Sequence, residues 1–267
     1  MNILVCIKQV PDIEKIKIDS GKNEMIMTGV PDIVNQFDTY AMETAVRIKD
    51  ADPETRVIVV TMGPEQTKSA LKNCLSVGAN KAYMVSDDVL TDSDTLATSY
   101  VLSCAVKAIE EREGQPFDLI FCGKQAADGD TGHVGPQLAE YLNLPQITAA
   151  MEISVEGGKV LAKRQTEDGA EVKAAECPVL VTMSQTAYEL RYATVKTKMA
   201  ANRAEIPVLT ASDLGLDTAR VGLGGSPSKV VRKYVPERIK GGVMIEEETG
   251  ELSAQKLVAF LSDAGAL

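Results

Sequence analysis

The sequence predicts a doubly wound α/β fold with a mostly parallel sheet, a small β excursion and an extended C-terminal arm. Across the first half of the 267 residues, apolar runs alternate with amphipathic segments, the order expected of a doubly wound fold. The runs lack the polar alternation of half-exposed strands, which is typical of parallel strands covered on both faces. After about residue 144 the runs become shorter and are separated by glycines.

The strands of the main sheet are predicted from continuous apolar runs. Three runs are strong, and a fourth, at 81–85, is weaker; a later run could return to the same sheet. In chain order the strong runs are 2–8, 56–62 and 117–122, and the later run is 179–183.

The helices are predicted from apolar residues that recur on one face. One helix covers 38–49, with Asn35 and Asp38 forming a plausible N-terminal cap. Another starts near Thr91, where Asp94 stands at the spacing of a capping box. Two shorter helices are expected at 64–76 and 136–142.

The second half predicts smaller pieces. Short strands are expected at 151–155, 159–164 and 171–175, and an early hairpin at 13–28. Residues 1–220 are therefore predicted to form one α/β domain that includes the small strands. Residues 221–267 have too few core residues to fold alone, apart from an amphipathic helix at about 253–261, and are predicted to wrap a partner subunit. The tail also holds the main basic cluster, a solvated face or a contact with an acidic partner: Lys229, Arg232, Lys233, Arg238 and Lys240.

Composition excludes several classes of protein. With 28 basic and 38 acidic residues the net charge is −10, which disfavours nucleic-acid binding. No apolar run is long enough for a membrane span, and the N-terminus predicts a first strand and not an export signal. Five scattered cysteines without a Cys-x-x-Cys pair indicate free thiols in the cytoplasm and no metal site. A single histidine excludes any mechanism that needs a histidine pair.

The segment 121–136 is the most informative part of the sequence. It follows a predicted strand and opens a helix, which is where open α/β sheets bind ligands. Gly123, Gly129 and Gly132 allow close backbone approach, and amides at a helix start favour phosphate. Neither a Walker loop nor a Gly-x-Gly-x-x-Gly motif is present. Nucleotide binding is favoured over a plain polar connection.

Three further segments follow strands or open helices at the same predicted edge. They are 6–9, 35–38 and 61–64. Each alone is typical of a cap or turn, but together they describe a crevice at the carboxyl ends of the strands.

These segments resemble the β subunits of electron-transfer flavoproteins, over essentially the whole chain. The resemblance rests on the order and spacing of 5–12, 35–38, 62–64, 77–79, 123–126 with Asp128, 190–193 and 225–227. It implies a Rossmann-like, adenine-nucleotide-binding domain that supports an α subunit in a heterodimer and has no catalytic nucleophile.

The identity of the nucleotide depends on the ligand loop. One branch of the family holds AMP and carries Asp-Asp-Asp in this loop, whereas a branch that includes electron-bifurcating members holds FAD and resembles Asp-Gly-Asp-Thr-x-x-Val-Gly-Pro. This chain has the second pattern at 128–136, and Ser-Asp-Thr-Leu-Ala-Thr-Ser at 93–99. The resemblance therefore implies FAD, with AMP as the alternative.

The residues that the resemblance implies for cofactor binding lie on the strand-end segments and the ligand loop. Gln36 replaces the family's proline, and Gly132-His133 replaces Ala-Gln; His133 is expected to touch phosphate or ribityl oxygens. The full set is Cys6, Lys8, Asn35, Gln36, Phe37, Asp38, Met62, Asp94, Thr95, Thr98, Gly123, Lys124, Gln125, Ala126, Asp128, Gly129, Asp130, Thr131, Gly132, His133 and Val134.

The resemblance also implies partners. The segment 182–193 aligns with the loop by which the family docks onto a flavin dehydrogenase, here expected to be of the acyl-CoA dehydrogenase or enoyl-CoA reductase type. NADH would be the electron donor, and ferredoxin and the α-subunit FAD would be the two acceptors of a bifurcating complex. The expected docking residues are Ala187, Tyr188, Glu189, Leu190, Arg191 and Tyr192; the alternative is that their apolar side chains are tucked into the core.

Overall fold

The structure is a computed structural model that describes residues 1–19, 24–231, 234 and 241–267. The chain divides into two compact units, Met1–Ile18 with Met25–Arg232, and Asp19–Glu24 with Lys233–Leu267. The first unit carries the large sheet and the second carries the last helix. Of the predicted basic cluster, only Lys229 is described, and it is exposed; Arg232, Lys233, Arg238 and Lys240 lie outside the described residues.

In the described part of the chain, four short strands follow the first strand, and from residue 36 to residue 142 strands and α-helices alternate as predicted. The strands are β1 (Asn2–Cys6), β2 (Gln9–Pro11), β3 (Lys17–Asp19), β4 (Glu24–Ile26), β5 (Asp32–Val34), β6 (Arg56–Met62), β7 (Lys81–Val85), β8 (Leu119–Gly123), β9 (Gln146–Glu156), β10 (Lys159–Thr166), β11 (Gly169–Glu176), β12 (Val179–Met183) and β13 (Val208–Leu209). The α-helices are α1 (Gln36–Ala51), α2 (Lys68–Ser76), α3 (Thr95–Glu113), α4 (Val134–Leu142), α5 (Val195–Arg203), α6 (Gly222–Gly225) and α7 (Gly250–Asp263).

The main sheet has the order β11-β10-β9-β12-β8-β1-β6-β7-β13. Every pair of neighbours from β9 to β13 is parallel, whereas β9, β10 and β11 are joined by antiparallel pairing. If β1, β6, β7, β8 and β12 are numbered one to five, their order is 3-2-1-4-5, which reverses between β1 and β8. The predicted doubly wound sheet, its β excursion and the return of 179–183 are confirmed.

Helices cover both faces of the parallel strands, which explains the continuous apolar runs. On one face Ile3 and Val5 of β1 pack in the same core as α1 and α2. On the other face Leu4 and Cys6 pack with α3 and α4. Successive side chains of a strand point to opposite faces, so a strand between two helical layers needs apolar residues at every position. None of the described helices is long and apolar enough to cross a membrane.

Two helix starts differ from the prediction. The helix predicted from Thr91 begins at Thr95, because the Asp94 carboxylate accepts hydrogen bonds from the N–H groups of Leu96 and Ala97, both at 3.0 Å. The first helix begins at Gln36; Asn35 occupies the cap position but its side chain makes no cap hydrogen bond. The elements α5 and β13 are not among those that the sequence patterns predicted.

A buried carboxylate joins α3 to the amino-terminal ends of β6 and β7. Glu113 accepts hydrogen bonds from Arg56 Nη2 (2.6 Å), Lys81 Nζ (2.6 Å) and Tyr83 Oη (2.5 Å). Burial raises the pKa of Glu113, but the hydrogen bonds from Lys81, Tyr83 and Arg56 outweigh burial and lower that pKa to about 2. The ionised form is therefore the one that the fold stabilises.

We expect Glu113→Gln to lower the free energy of unfolding at neutral pH by about 1–3 kcal/mol, because a charged acceptor with three donors is lost. The folded-state pKa lies below the ordinary value of 4.5, so this stabilisation is present above pH 4.5 and is lost as the pH falls towards 2. Denaturant titrations of both proteins between pH 3 and pH 7 measure it. Glu111→Gln, at an exposed position of the same helix, is the control. An equal loss in both variants would contradict the prediction.

Candidate nucleotide-binding crevice

The strand order reverses between β1 and β8, and the candidate crevice is the gap expected between the carboxyl ends of these two strands. Lys8 stands in the segment after β1, and the ligand loop, defined as residues 124–133, follows β8 and leads into α4. Open α/β sheets bind ligands at such a reversal, because the two adjacent loops diverge to opposite faces and leave a gap between them.

Asp38 joins the two strand ends from the first turn of α1. One carboxylate oxygen accepts the N–H of Lys8 at 2.6 Å, and the other accepts the N–H of Gly123 at 3.1 Å. Burial raises the pKa of Asp38 to about 7, opposed by the hydrogen bonds from the Lys8 and Gly123 N–H groups and by the charge of Lys8. The side chain is buried, so it holds the floor of the crevice together and does not project from it.

Asn35 fixes the ligand loop instead of capping α1. Its Nδ2 donates to the Gln125 carbonyl oxygen at 2.8 Å, and its Oδ1 accepts the Ala127 N–H at 3.1 Å. The backbone N–H of Asn35 donates to the Lys8 carbonyl oxygen at 2.9 Å. Because one buried amide side chain meets both a donor and an acceptor of the loop, it sets the loop's position relative to α1.

Both acidic side chains of the ligand loop have partners in the protein, a lysine for Asp128 and an amide for Asp130. Lys8 Nζ lies 2.7 and 2.8 Å from the two carboxylate oxygens of Asp128, and Gln125 Nε2 donates to Asp130. Asp130 and Gly132 have positive φ values of 51° and 66°, so the loop turns sharply just before α4. Residues 127–131 are exposed, and an ionic ligand at this edge would meet paired carboxylates.

Two helix starts meet beside this loop. Ser99 Oγ on α3 lies 3.2 Å from the Val134 carbonyl oxygen and 3.3 Å from Gln137 Oε1 on α4. No side chain caps the amino terminus of α4, where His133 occupies the cap position. An uncapped helix start presents free N–H groups that suit an anion.

Asp94 has a different environment from the one expected for a cofactor ligand. Its second carboxylate oxygen accepts the Ser228 N–H at 2.9 Å, and its own N–H donates to Ser226 Oγ at 2.8 Å. Together with the cap bonds to α3, these contacts use both carboxylate oxygens. Thr95 and Thr98 lie half-buried in the first turn of α3, and their roles in binding stay predictions.

The remaining predicted cofactor residues lie on the same segments in varied environments. Cys6 is buried beside Cys122, whose pKa is raised well above the ordinary value by a hydrogen bond with Cys6 and by burial. Phe37, Met62, Lys124, Ala126, Gly132 and Val134 are half-buried, and Gln36, Gly129, Thr131 and His133 are exposed. Their roles in binding stay predictions. Among the described residues no group of three or more His, Cys, Asp or Glu side chains could hold a metal ion.

Two residues of the predicted docking segment, Tyr188 and Arg191, contact α1. Arg191 forms ion pairs with Glu43 and Asp50, both at 2.8 Å, and Arg47 lies over the ring of Tyr188 at 4.4 Å. In contrast, Tyr192 is 95% exposed and Leu190 is 38% exposed. The alternative that all the apolar side chains are tucked into the core is therefore wrong for Tyr192 and Leu190, whereas Tyr188 is half-buried.

Comparison with known proteins identifies the family. Residues 23–214 match the electron transfer flavoprotein domain. The chain belongs to the electron transfer flavoprotein family. It is 45% identical over 266 residues to the electron transfer flavoprotein subunit beta of Megasphaera elsdenii, covering 97% of this chain and 98% of that one.

Other relatives carry the same relationship over nearly full length. The caffeyl-CoA reductase-Etf complex subunit CarD of Acetobacterium woodii is 41% identical over 263 residues, covering 98% of each chain. Protein FixA of Azorhizobium caulinodans is 38% identical over 251 residues, covering 92% of this chain and 89% of FixA. The resemblance seen in the sequence is thereby confirmed: the chain is an electron-transfer flavoprotein β subunit, and the names of its relatives imply an α-subunit partner.

Gly123 is required by the close approach of α1, which gives a test of the crevice floor. A Cβ at this position would lie 2.1 Å from Asp38 Oδ1 and 2.9 Å from Phe37 Cβ. We expect Gly123→Ala to lower the free energy of unfolding by about 1–3 kcal/mol, as overpacking does, because Asp38 is fixed by its two hydrogen bonds. Thermal and denaturant unfolding measure the change.

The matched control is Gly129→Ala in the same loop region, where a Cβ would meet nothing within 4 Å. We expect its effect to stay within about 0.5 kcal/mol. If Gly123→Ala were as stable as Gly129→Ala, the carboxylate of Asp38 would not be the fixed floor of the crevice.

Proposed function

We propose that this β subunit holds FAD in the crevice between β1 and β8 and serves an electron-bifurcating complex. The observation that carries the proposal is the chemistry of the ligand loop: Gly129 leaves open space, and the neighbouring carboxylates of Asp128 and Asp130 are paired with Lys8 and Gln125. A pyrophosphate can approach such a loop, whereas an unpaired acidic side chain at position 129 would repel it.

The residues present fit a dinucleotide. The start of α4 lies beside the ligand loop and has no side-chain cap. It adjoins α3 through Ser99 and Val134, whereas the start of α3 is already capped by the Asp94 carboxylate. Phosphate binding at an uncapped helix start draws on free N–H groups and the helix dipole. Thr95, Thr98, Thr131 and His133 supply further polar atoms along the predicted path of a longer ligand. AMP, which has one phosphate and no second ring system, would use only part of this set.

When bound, FAD supplies the redox chemistry, since flavins carry electrons that side chains cannot. The chain's own residues bind and orient: Asp38 and Asn35 fix the two loops, Lys8 neutralises Asp128, and the uncapped start of α4 holds phosphate. No side chain is assigned as nucleophile, acid or base. The protein thus acts as a subunit of an NADH-dependent flavin oxidoreductase complex.

The proposed partners are the α subunit, a flavin dehydrogenase and ferredoxin. Support for a bifurcating acyl-CoA-type complex comes from the relative named as a subunit of a caffeyl-CoA reductase-Etf complex. Residues 221–267 are proposed to wrap the α subunit, because α7 exposes Leu252, Leu257, Val258 and Phe260, an apolar set that a partner would cover. We place the complex in the cytoplasm.

The proposed dehydrogenase contact is the segment 187–192 continued by α5. Tyr192, Val195 and Met199 are 95%, 77% and 51% exposed, and the exposed Lys196 and Lys198 accompany them. Exposed aromatic and apolar side chains are the usual anchors of an interface. The two lysines on a chain of net charge −10 favour a partner surface with an apolar pocket and an acidic rim.

We expect Gly129→Asp to release the flavin of the crevice selectively, because it adds a carboxylate beside the pyrophosphate at a position where a Cβ meets no atom within 4 Å. Flavin quantitation per αβ heterodimer should fall from two to one, while Gly129→Ala should keep two. Nucleotide extraction from the wild-type heterodimer identifies the ligand directly. One flavin and one AMP in the wild type would replace FAD by the structural AMP of the alternative.

Bifurcation itself has a separate test. The αβ heterodimer with its dehydrogenase is expected to oxidise NADH and reduce ferredoxin only when the dehydrogenase's high-potential acceptor is present, since the uphill transfer depends on the downhill one. Ferredoxin reduction is followed spectroscopically with and without that acceptor. Reduction that does not depend on the acceptor, or none despite two bound flavins, would leave a two-flavin carrier without bifurcation.

A further inference from the structure

One face of α1 clamps the docking segment through a buried carboxylate. The side chain of Glu43 is 3% exposed and receives three hydrogen bonds from Arg191: from Nε at 2.8 Å, from Nη2 at 3.2 Å and from the backbone N–H at 3.2 Å. Arg47 Nε also donates to Glu43 at 2.8 Å. Arg191 Nη2 reaches Asp50 at 2.8 Å, so the guanidinium lies against two turns of one helix.

The clamp is electrostatically strong. Burial raises the pKa of Glu43, but hydrogen bonds and charge from Arg191, with a further hydrogen bond from Arg47, outweigh burial and lower it. The same contacts with Glu43 raise the pKa of Arg191. Both groups are therefore ionised, and removing Arg191 would take three hydrogen bonds from the buried Glu43 carboxylate, which is costly.

Within residues 190–192, the clamp holds only the middle residue. Arg191 turns inward to Glu43, whereas its two neighbours, Leu190 and Tyr192, point outward and are 38% and 95% exposed. A tyrosine side chain this exposed buries almost no apolar surface in its own subunit. The backbone beside it is nevertheless fixed by the ion pair between Arg191 and the buried Glu43. Such an arrangement reduces the conformational entropy that is lost when an anchor side chain is bound.

We propose that Glu43 is a positioning residue for partner recognition: through Arg191 it holds the segment in the conformation that presents Leu190 and Tyr192 to the dehydrogenase. The proposal rests on the docking role given to this segment under the proposed function. It reassigns Arg191 from a residue that contacts the partner to one that faces its own subunit. Glu43 does not touch the partner and acts only through the loop.

The test measures how Glu43 and Tyr192 depend on each other. The intact αβ heterodimer is titrated against a short-chain acyl-CoA dehydrogenase, the partner class proposed above, for wild type, Glu43→Gln, Tyr192→Ala and the double variant. We expect each single variant to weaken binding about tenfold. In the Tyr192→Ala background the further loss from Glu43→Gln should be about twofold or less, because the anchor that the clamp presents is gone.

Two additional measurements separate positioning from simple stability. In steady-state electron transfer, the KM for the heterodimer should rise in Glu43→Gln while kcat stays unchanged, and amide hydrogen exchange should increase over residues 187–193. Glu113→Gln, which removes a buried carboxylate with three partners on another part of the fold, is the matched control and should leave both unchanged. Arg191→Ala opens the clamp from the loop side and replaces Glu43→Gln if that variant does not fold.

The outcomes separate the docking role from the clamp. If Tyr192→Ala binds the dehydrogenase as tightly as wild type does, the docking role fails and the clamp fails with it. If Tyr192→Ala is weakened but Glu43→Gln and Arg191→Ala are not, the docking role holds and the clamp is overturned. Equal losses from Glu43→Gln in both backgrounds would likewise overturn the clamp, because Glu43 would then act independently of the anchor.

Discussion

The carboxylate of Asp38 is the contact on which the crevice depends. A parallel sheet that reverses its order leaves two neighbouring strands whose following loops diverge, and nothing in the strand pairing holds those loops at a fixed separation. Asp38 does so with one oxygen on the Lys8 N–H and the other on the Gly123 N–H. Gly123 must lack a side chain because the carboxylate occupies the place of its Cβ. The ligand loop begins directly after Gly123, so Asp38 fixes the position at which the loop leaves the sheet.

Helix α1 connects this crevice to the docking segment. Asn35 and Asp38 at its start fix the loops after β1 and β8, and Glu43, Arg47 and Asp50 further along fix Arg191 and Tyr188. Both buried acids, Asp38 and Glu43, accept hydrogen bonds from distant parts of the chain. They therefore fix the positions of particular loop residues, which purely apolar contacts with the helix could not do. Directional bonds set the register of loops that have no strand of their own, whereas apolar packing fixes only how closely two surfaces approach.

The sequence predicts the main sheet well and the contacts of particular polar residues less well. The apolar runs around β1, β6 and β8 predicted the sheet because a strand that is covered on both faces needs an apolar residue at every position. The sequence also placed Asn35 and Asp94 at helix starts. The predicted cap role is wrong for Asn35, which binds the ligand loop and not its own helix, whereas Asp94 caps α3 and also holds Ser228. A short polar side chain at a helix start fits either a local cap or a long-range bridge, and only the position of residues some ninety places away decides between them. Glu43 was missed for a related reason, since a glutamate in a helix is usually solvated and its partner lies 148 residues further on.

A chain of net charge −10 is proposed to bind an anionic dinucleotide, so electrostatic repulsion between the two must be overcome. Long-range repulsion from scattered surface carboxylates is screened within about 10 Å at ordinary ionic strength, so the charges that matter are those within the loop. There, Lys8 neutralises Asp128, Gln125 donates to Asp130, and position 129 has no side chain at all. The uncapped start of α4 then adds N–H groups at the same place. The acidic surface can therefore serve solubility and partner choice, while the local field of the crevice is set separately by a few paired groups.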